Sequence, residues 1–112
     1  MKTIYISGPM TGLPCFNFME FFYWEKVWTD RGWTVVNPAR VDCEKMLRGW
    51  VYTEEQYREI LDEDLRLIRE ECDAIFMMNG WVGSDGANEE YAEAVNYNKE
   101  ILFEVEDGQP FG

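Results

Sequence analysis

Thr3-Ile4-Tyr5-Ile6-Ser7-Gly8-Pro9-Met10-Thr11-Gly12 is the stretch on which the reading of the fold turns. Residues 2–6 form a short apolar strand, and the chain breaks at Ser7 into a loop of small residues. Gly8 and Gly12 leave main-chain amides open to a ligand. A strand feeding such a loop, followed by a helix, is how open α/β sheets build sites for sugars and phosphates. The spacing is neither the dinucleotide fingerprint nor a P-loop, since it holds no G-x-G-x-x-G and no Gly-Lys-Ser/Thr. Two readings stand for this segment alone: a ligand-binding loop, or a tight strand-to-helix turn without a ligand.

Outward from that strand, the pattern alternates. A helix is expected over Phe18 to Arg31, with Asn17 and Glu20 at capping-box spacing and Gly32 as its stop. Its aromatic residues cover most of its surface, so one face packs on the sheet and the rest invites a partner subunit. Trp33 to Val36 reads as the second strand, ended by Asn37-Pro38. A loop of about fifteen residues then reaches Tyr52, longer than most connections in a compact domain. Thr53 and Gln56 cap a helix to about Glu70, and Asp73 to Met78 is an apolar run suited to a central parallel strand. A second glycine-rich loop, Asn79 to Gly86, precedes a helix over Ala87 to Asn98 and a strand over Ile101 to Val105. Strand-helix alternation implies an α/β fold with parallel strands and right-handed crossovers. Both glycine-rich loops then leave strand ends on one rim, where such sheets bind ligands.

The totals narrow the class. With 112 residues the chain is expected to be one domain, able to bury roughly two thirds of its unfolded surface. No apolar run approaches the roughly 20 residues of a membrane span, and no signal peptide is visible, so a soluble cytoplasmic protein is expected. A net charge of −12 disfavours nucleic acid polymers, which need a basic face. A small phosphate remains possible on loop amides and a helix N-terminus. Cys15, Cys43 and Cys72 stand far apart, so reduced thiols are expected rather than a disulfide framework. The chain has no His, which removes Ser-His and Cys-His chemistry and leaves a zinc site little to use; no metal or cofactor is expected.

Two carboxylates fall where the helical pattern calls for apolar residues. Tyr57, Ile60, Leu61, Leu67 and Ile68 define a stripe, and Asp64 occupies the i+7 position from Tyr57. On the last helix Ala87, Tyr91, Ala94, Val95 and Asn98 mark the inner face, and Glu90 falls within it, near the first turn, where the dipole favours an ionised carboxylate. An inward acid needs a partner or a purpose. For Asp64 the alternative is a structural acceptor for a loop amide; for Glu90 it is an exposed charge without a role. Asp62, Glu63, Glu89 and Glu93 read as solvated charges. A carboxylate pair in unlike environments is how enzymes break glycosidic bonds.

Tyr5-Ile6-Ser7-Gly8-Pro9-Met10-Thr11-Gly12, Phe16-Asn17, Asn37-Pro38, Asp64-Leu65, Cys72-Asp73, Gly80-Trp81, Ser84-x-Gly86-Ala87 and Glu90, in that order, resemble the DUF4406 family over about residues 2 to 105. That family holds small, often phage-encoded proteins of the nucleoside 2-deoxyribosyltransferase-like superfamily. The resemblance implies a flavodoxin-like (Rossmann-like) three-layer sandwich with a four- to five-stranded parallel sheet, working as a homodimer or larger homo-oligomer. It implies cleavage or transfer of the N-glycosidic bond of a 2′-deoxynucleoside or its 5′-monophosphate. By the same resemblance Glu90 matches the attacking glutamate, Asp64 the assisting aspartate, and Tyr5 an aromatic residue that positions the nucleophile. Ser84 matches a serine that holds the 5′-phosphate, and Ser7, Gly8 and Met10 lie in the loop lining sugar and phosphate. Gly12, Phe16, Asn17, Trp81 and Gly86 complete the implied substrate-binding set.

One departure concerns phosphate. Pro9-Met10-Thr11-Gly12 stands where monophosphate-cleaving relatives carry a basic turn, which leaves Arg40 or Arg48 on the long loop as the candidate replacement. Phe16, Trp50 and Trp81 are candidates to stack on a base, or else core and interface residues. Two further readings stay open: a non-catalytic protein that senses or sequesters a nucleotide, and an acidic interaction protein with a vestigial cleft.

Overall fold

The computed structural model describes residues 2–10, 17–40 and 53–105. Gly12, Phe16, Arg48, Trp50, Cys15 and Cys43 lie outside the described residues, as do most of the long loop and the chain after Val105. Strand β1 (Thr3–Ser7) leads to helix α1 (Phe18–Asp30), β2 (Thr34–Val36), α2 (Glu54–Glu71), β3 (Ala74–Met77), α3 (Asp85–Asn96) and β4 (Glu100–Phe103). The strands form one parallel sheet in the order β2-β1-β3-β4. This is a flavodoxin-like three-layer sandwich, and its order reverses between β1 and β3, the place where open α/β sheets form a crevice.

Alternation along the strands divides the core. Ile4 and Ile6 of β1 join Ala74, Phe76 and Met78 against Phe18, Phe21 and Trp28 of α1. Tyr5 faces the other way, with Ile75, Met77, Ile68, Ala87 and Ala94, under α2 and α3. Every residue of β3 is buried, as a strand covered on both faces requires. Trp24 and Trp28 crowd the Phe76 ring at centroid distances of 4.6 and 5.3 Å. Cys72 is buried and unpaired, its thiol pushed up to about 11 by burial. Among the described residues no helix is long and apolar enough to cross a membrane.

Several expectations need correction. β1 runs one residue further than expected: Ser7 pairs with Met77 in the ladder and is fully buried, so it belongs to the strand and not the loop. A hydroxyl is tolerated there because a carboxylate accepts its hydrogen bond, as described below. Asn17 does not cap α1. Its backbone is left-handed (φ 63°), and its side-chain amide donates to the Pro9 carbonyl at 3.0 Å, tying the helix start to the first loop. Helix α3 begins at Asp85, because the Ser84 hydroxyl accepts from the Ala87 amide at 3.3 Å. Glu90 is therefore one turn deeper than the first turn, beyond the strongest dipole effect. Val95, one position round the helix from buried Ala94, is exposed, and so is Asn98, which lies past the helix end at Asn96 and turns left-handed. Glu93, expected in solvent, meets Arg69 of α2 at 2.6 Å.

The capping box at α2 forms as expected. The Gln56 amide donates to Thr53 Oγ1 at 3.1 Å, and the Thr53 amide donates to Gln56 Oε1 at 3.0 Å. Thr53→Ala is expected to cost about 1 kcal/mol, lowering the melting temperature by roughly 4–8 °C. An unchanged melting temperature would show that this helix end adds nothing to the cooperative fold.

Candidate active site

Two loops meet at the carboxyl rim of the central strands. Gly8 passes so close to Met78, just beyond β3, that a Cβ on it would stand 2.5 Å from the Met78 methyl carbon. Glycine here lets the chains leaving β1 and β3 run side by side at the reversal point. Beside them opens a cleft of about 630 Å³, lined by Pro9, Asn17, Glu20, Asn79, Gly80 and Glu104 among others. Glu104 accepts from the Asn79 main-chain amide at 3.1 Å and from its side chain at 3.0 Å, bracing the second glycine-rich loop against β4.

On the α2–α3 side of the same rim lies the carboxylate site. Tyr5 and Ser7, two apart on β1, point to one face of the strand. From α3, Glu90 reaches down to both. The Tyr5 hydroxyl donates to Glu90 Oε2 at 2.6 Å, and the Ser7 hydroxyl donates to Glu90 Oε1 at 2.7 Å. Glu90 is only 7% exposed, which removes the reading of an idle surface charge. A carboxylate has about four lone-pair sites, and each Glu90 oxygen commits one of them to a hydroxyl of β1. The two oxygens are thus held in a fixed orientation by one strand.

Asp64 comes to the site from α2 and is half-buried. Burial drives the Tyr5 hydroxyl well above its ordinary value; Glu90 and then Asp64 add to this through charge and hydrogen bonding. Tyr5 therefore remains a neutral donor placed between two acids. Tyr5→Phe is expected to cost about 1–3 kcal/mol, by leaving a buried carboxylate oxygen short of a partner. The folded pKa is raised above the unfolded value near 10, so Tyr5 contributes its share fully below about pH 10. That share is lost as pH rises toward the folded pKa, and the variant should lose stability less steeply above pH 10. Equal alkaline slopes in denaturant titrations of the two proteins would assign the alkaline loss to another residue.

The remaining expected site residues divide. Gly8 and Asn17 border the rim, and Met10 packs against the α1-side core. Trp81 is half-buried, with one ring face stacked on Tyr91 at 4.8 Å and the Phe103 ring tilted nearby at 6.1 Å, so Tyr91 takes the place a base would occupy on that face. The Ser84 hydroxyl serves as the α3 cap, and Gly86 is buried against α2. Arg40 is committed elsewhere: Glu25 holds its guanidinium through two nitrogens, and it lies 5.4 Å from the centre of the Phe22 ring. The charged residues lining the cleft among those described are Glu20 and Glu104. Among the described residues no group of three or more Cys, Asp or Glu is disposed to hold a metal ion.

Two features of the site were not visible in the residue pattern. Ser7 reads as a loop residue, whereas it anchors the second oxygen of Glu90. Tyr57 reads as part of an apolar stripe, whereas it is half-exposed beside Gly86. Its i+7 spacing to Asp64 is the signal that could have placed it at the site.

Among curated proteins no sequence matches the chain. The family model described as a domain of unknown function, DUF4406, matches residues 2–103. With the motifs of both rim loops, the parallel sheet and the Glu90 site all inside that span, the chain belongs to the DUF4406 family.

Proposed function

We propose that this protein cleaves or transfers the N-glycosidic bond of a 2′-deoxynucleoside or its 5′-monophosphate, with Glu90 as nucleophile. The observation that carries the reading is the Glu90 carboxylate, buried and fixed by Tyr5 and Ser7, with Asp64 acting on the same tyrosine. The likeness of its motifs to the nucleoside 2-deoxyribosyltransferase-like superfamily, whose members are often phage-encoded, supports it. A Glu90 oxygen attacks C1′ of the sugar, and the bond from C1′ to the base nitrogen breaks. Asp64, in its acid form, gives a proton to the departing base. The resulting deoxyribosyl ester is resolved by water, with Asp64 taking the proton, or by a second base in a transferase. A fixed carboxylate is suited to this because its position is set before the substrate arrives.

A second reading is favoured by one observation. Because both Glu90 oxygens already accept hydrogen bonds, the same geometry suits an architectural acid that braces a rim binding a nucleotide without cleaving it. Incubation with the four deoxynucleosides and their 5′-monophosphates, followed by chromatography for free base, separates the two. Released base supports the enzyme, and a second added base then tests transfer. Thermal stabilisation by intact nucleotide without release supports the binder.

A cytoplasmic homo-oligomer is part of the same proposal. Met19 and Tyr23 stand 83% and 59% exposed on α1, which supports burial of that face against a second copy. Sedimentation at micromolar concentration reads the assembly, and a monomer would remove this part.

A further inference from the structure

Tyr57 and Gly86 meet at the rim end of the groove between α2 and α3. The Tyr57 hydroxyl lies 2.8 Å from where a Cβ on Gly86 would stand, and Leu61 Cδ1 lies 3.9 Å from that point. Gly86 is one turn before Glu90 on α3, on the same face, and Tyr57 is two turns before Asp64 on α2. The hydroxyl therefore lies near both acids, whose charges act on it, at the end of the two helices that faces the carboxyl rim of the sheet. Tyr57 is 46% exposed as a residue, with its hydroxyl end lodged against Gly86 of α3.

We propose that Tyr57 is a substrate-orienting residue whose hydroxyl donates to a hydroxyl oxygen of the sugar, and that Gly86 is glycine to leave room for it. The inference rests on the N-glycosidic reading above, which puts the anomeric carbon against Glu90 and so places the sugar beneath Tyr57. Burial raises the Tyr57 pKa, and Glu90, Glu89, Asp64 and Asp85 add to the rise, so the hydroxyl stays a neutral donor. Surrounded by acids, it meets an uncharged oxygen more readily than a further anion.

The test is steady-state base release by wild type, Tyr57→Phe and Gly86→Ala. Each protein is given the parent deoxynucleoside and analogues lacking the 3′- or the 5′-hydroxyl. Tyr57→Phe is expected to lower kcat/KM on the parent by roughly tenfold, mostly through KM. On the analogue lacking the contacted hydroxyl, wild type and variant should agree within about twofold, which also says whether the contact is 3′ or 5′. Gly86→Ala should show the parent's loss with no fall in melting temperature, since alanine is the better helix former and only the Tyr57 tip must move. If Tyr57→Phe matches wild type on the parent, or loses the same factor on both analogues, the proposal is overturned while Glu90-dependent release leaves the N-glycosidic reading standing. Absence of release by wild type overturns that reading, and the Tyr57 proposal with it.

Discussion

Glu90→Gln is expected to lower base release by roughly 10⁴-fold or more, with the fold retained. An amide is too weak a nucleophile to open the bond at C1′, and losing the group that forms the covalent intermediate removes a whole step. The substitution is nearly isosteric. The glutamine carbonyl can accept from one of the two β1 hydroxyls, and its amide can donate to the other, so both buried hydroxyls stay paired. Glu90→Ala is the poorer probe, because it opens a void beside Tyr5 and takes away the acceptor of Ser7, at about 1–3 kcal/mol for the lost partner. The assay is single-turnover base release beside a thermal melt. Full activity in a folded Glu90→Gln protein would end the nucleophile assignment.

Asp64→Asn is expected to slow turnover by about 10²–10⁴-fold, the usual worth of a positioned proton transfer. It differs from the Glu90 variant in which substrates suffer. A base that leaves easily without a proton should lose least, because Asp64 acts on the leaving group in the first step. Comparing a natural deoxynucleoside with a nitrophenyl deoxyriboside reads this directly. Equal losses on both would mean that Asp64 works only by setting the field around Tyr5, as a positioning residue.

Much of the fold was legible because it rests on local signals. The apolar strands, the capping box at Thr53 and Gln56, and the alternation of strand and helix all lie within short windows. Where reading by residue pattern failed, the deciding partner was distant or the signal was shared. Asn17-x-x-Glu20 has the same form as the working cap at α2, yet Asn17 bonds Pro9 instead. Ser7 looks like a loop residue until β3, seventy positions on, pairs with it. Of the site, the misplaced acids were legible from helical spacing, and Glu90 proves inward. Of the hydroxyls that hold it, Tyr5 was expected in that role only through the family resemblance and Ser7 not at all, since tyrosine and serine on a strand carry no pattern of their own. Tyr57 depended on a glycine in another helix.

The two anchors of Glu90 sit two residues apart on one strand, and the residues between and before them are Ile6 and Ile4. A slip of β1 by one position would turn those isoleucines toward α3 and take both hydroxyls away. The buried acid would then face hydrocarbon, a state too costly to persist. Strand register and the reactive geometry are therefore proofread by the same contact: a chain that has settled into the wrong pairing is rejected as a fold before it can linger as an inert copy.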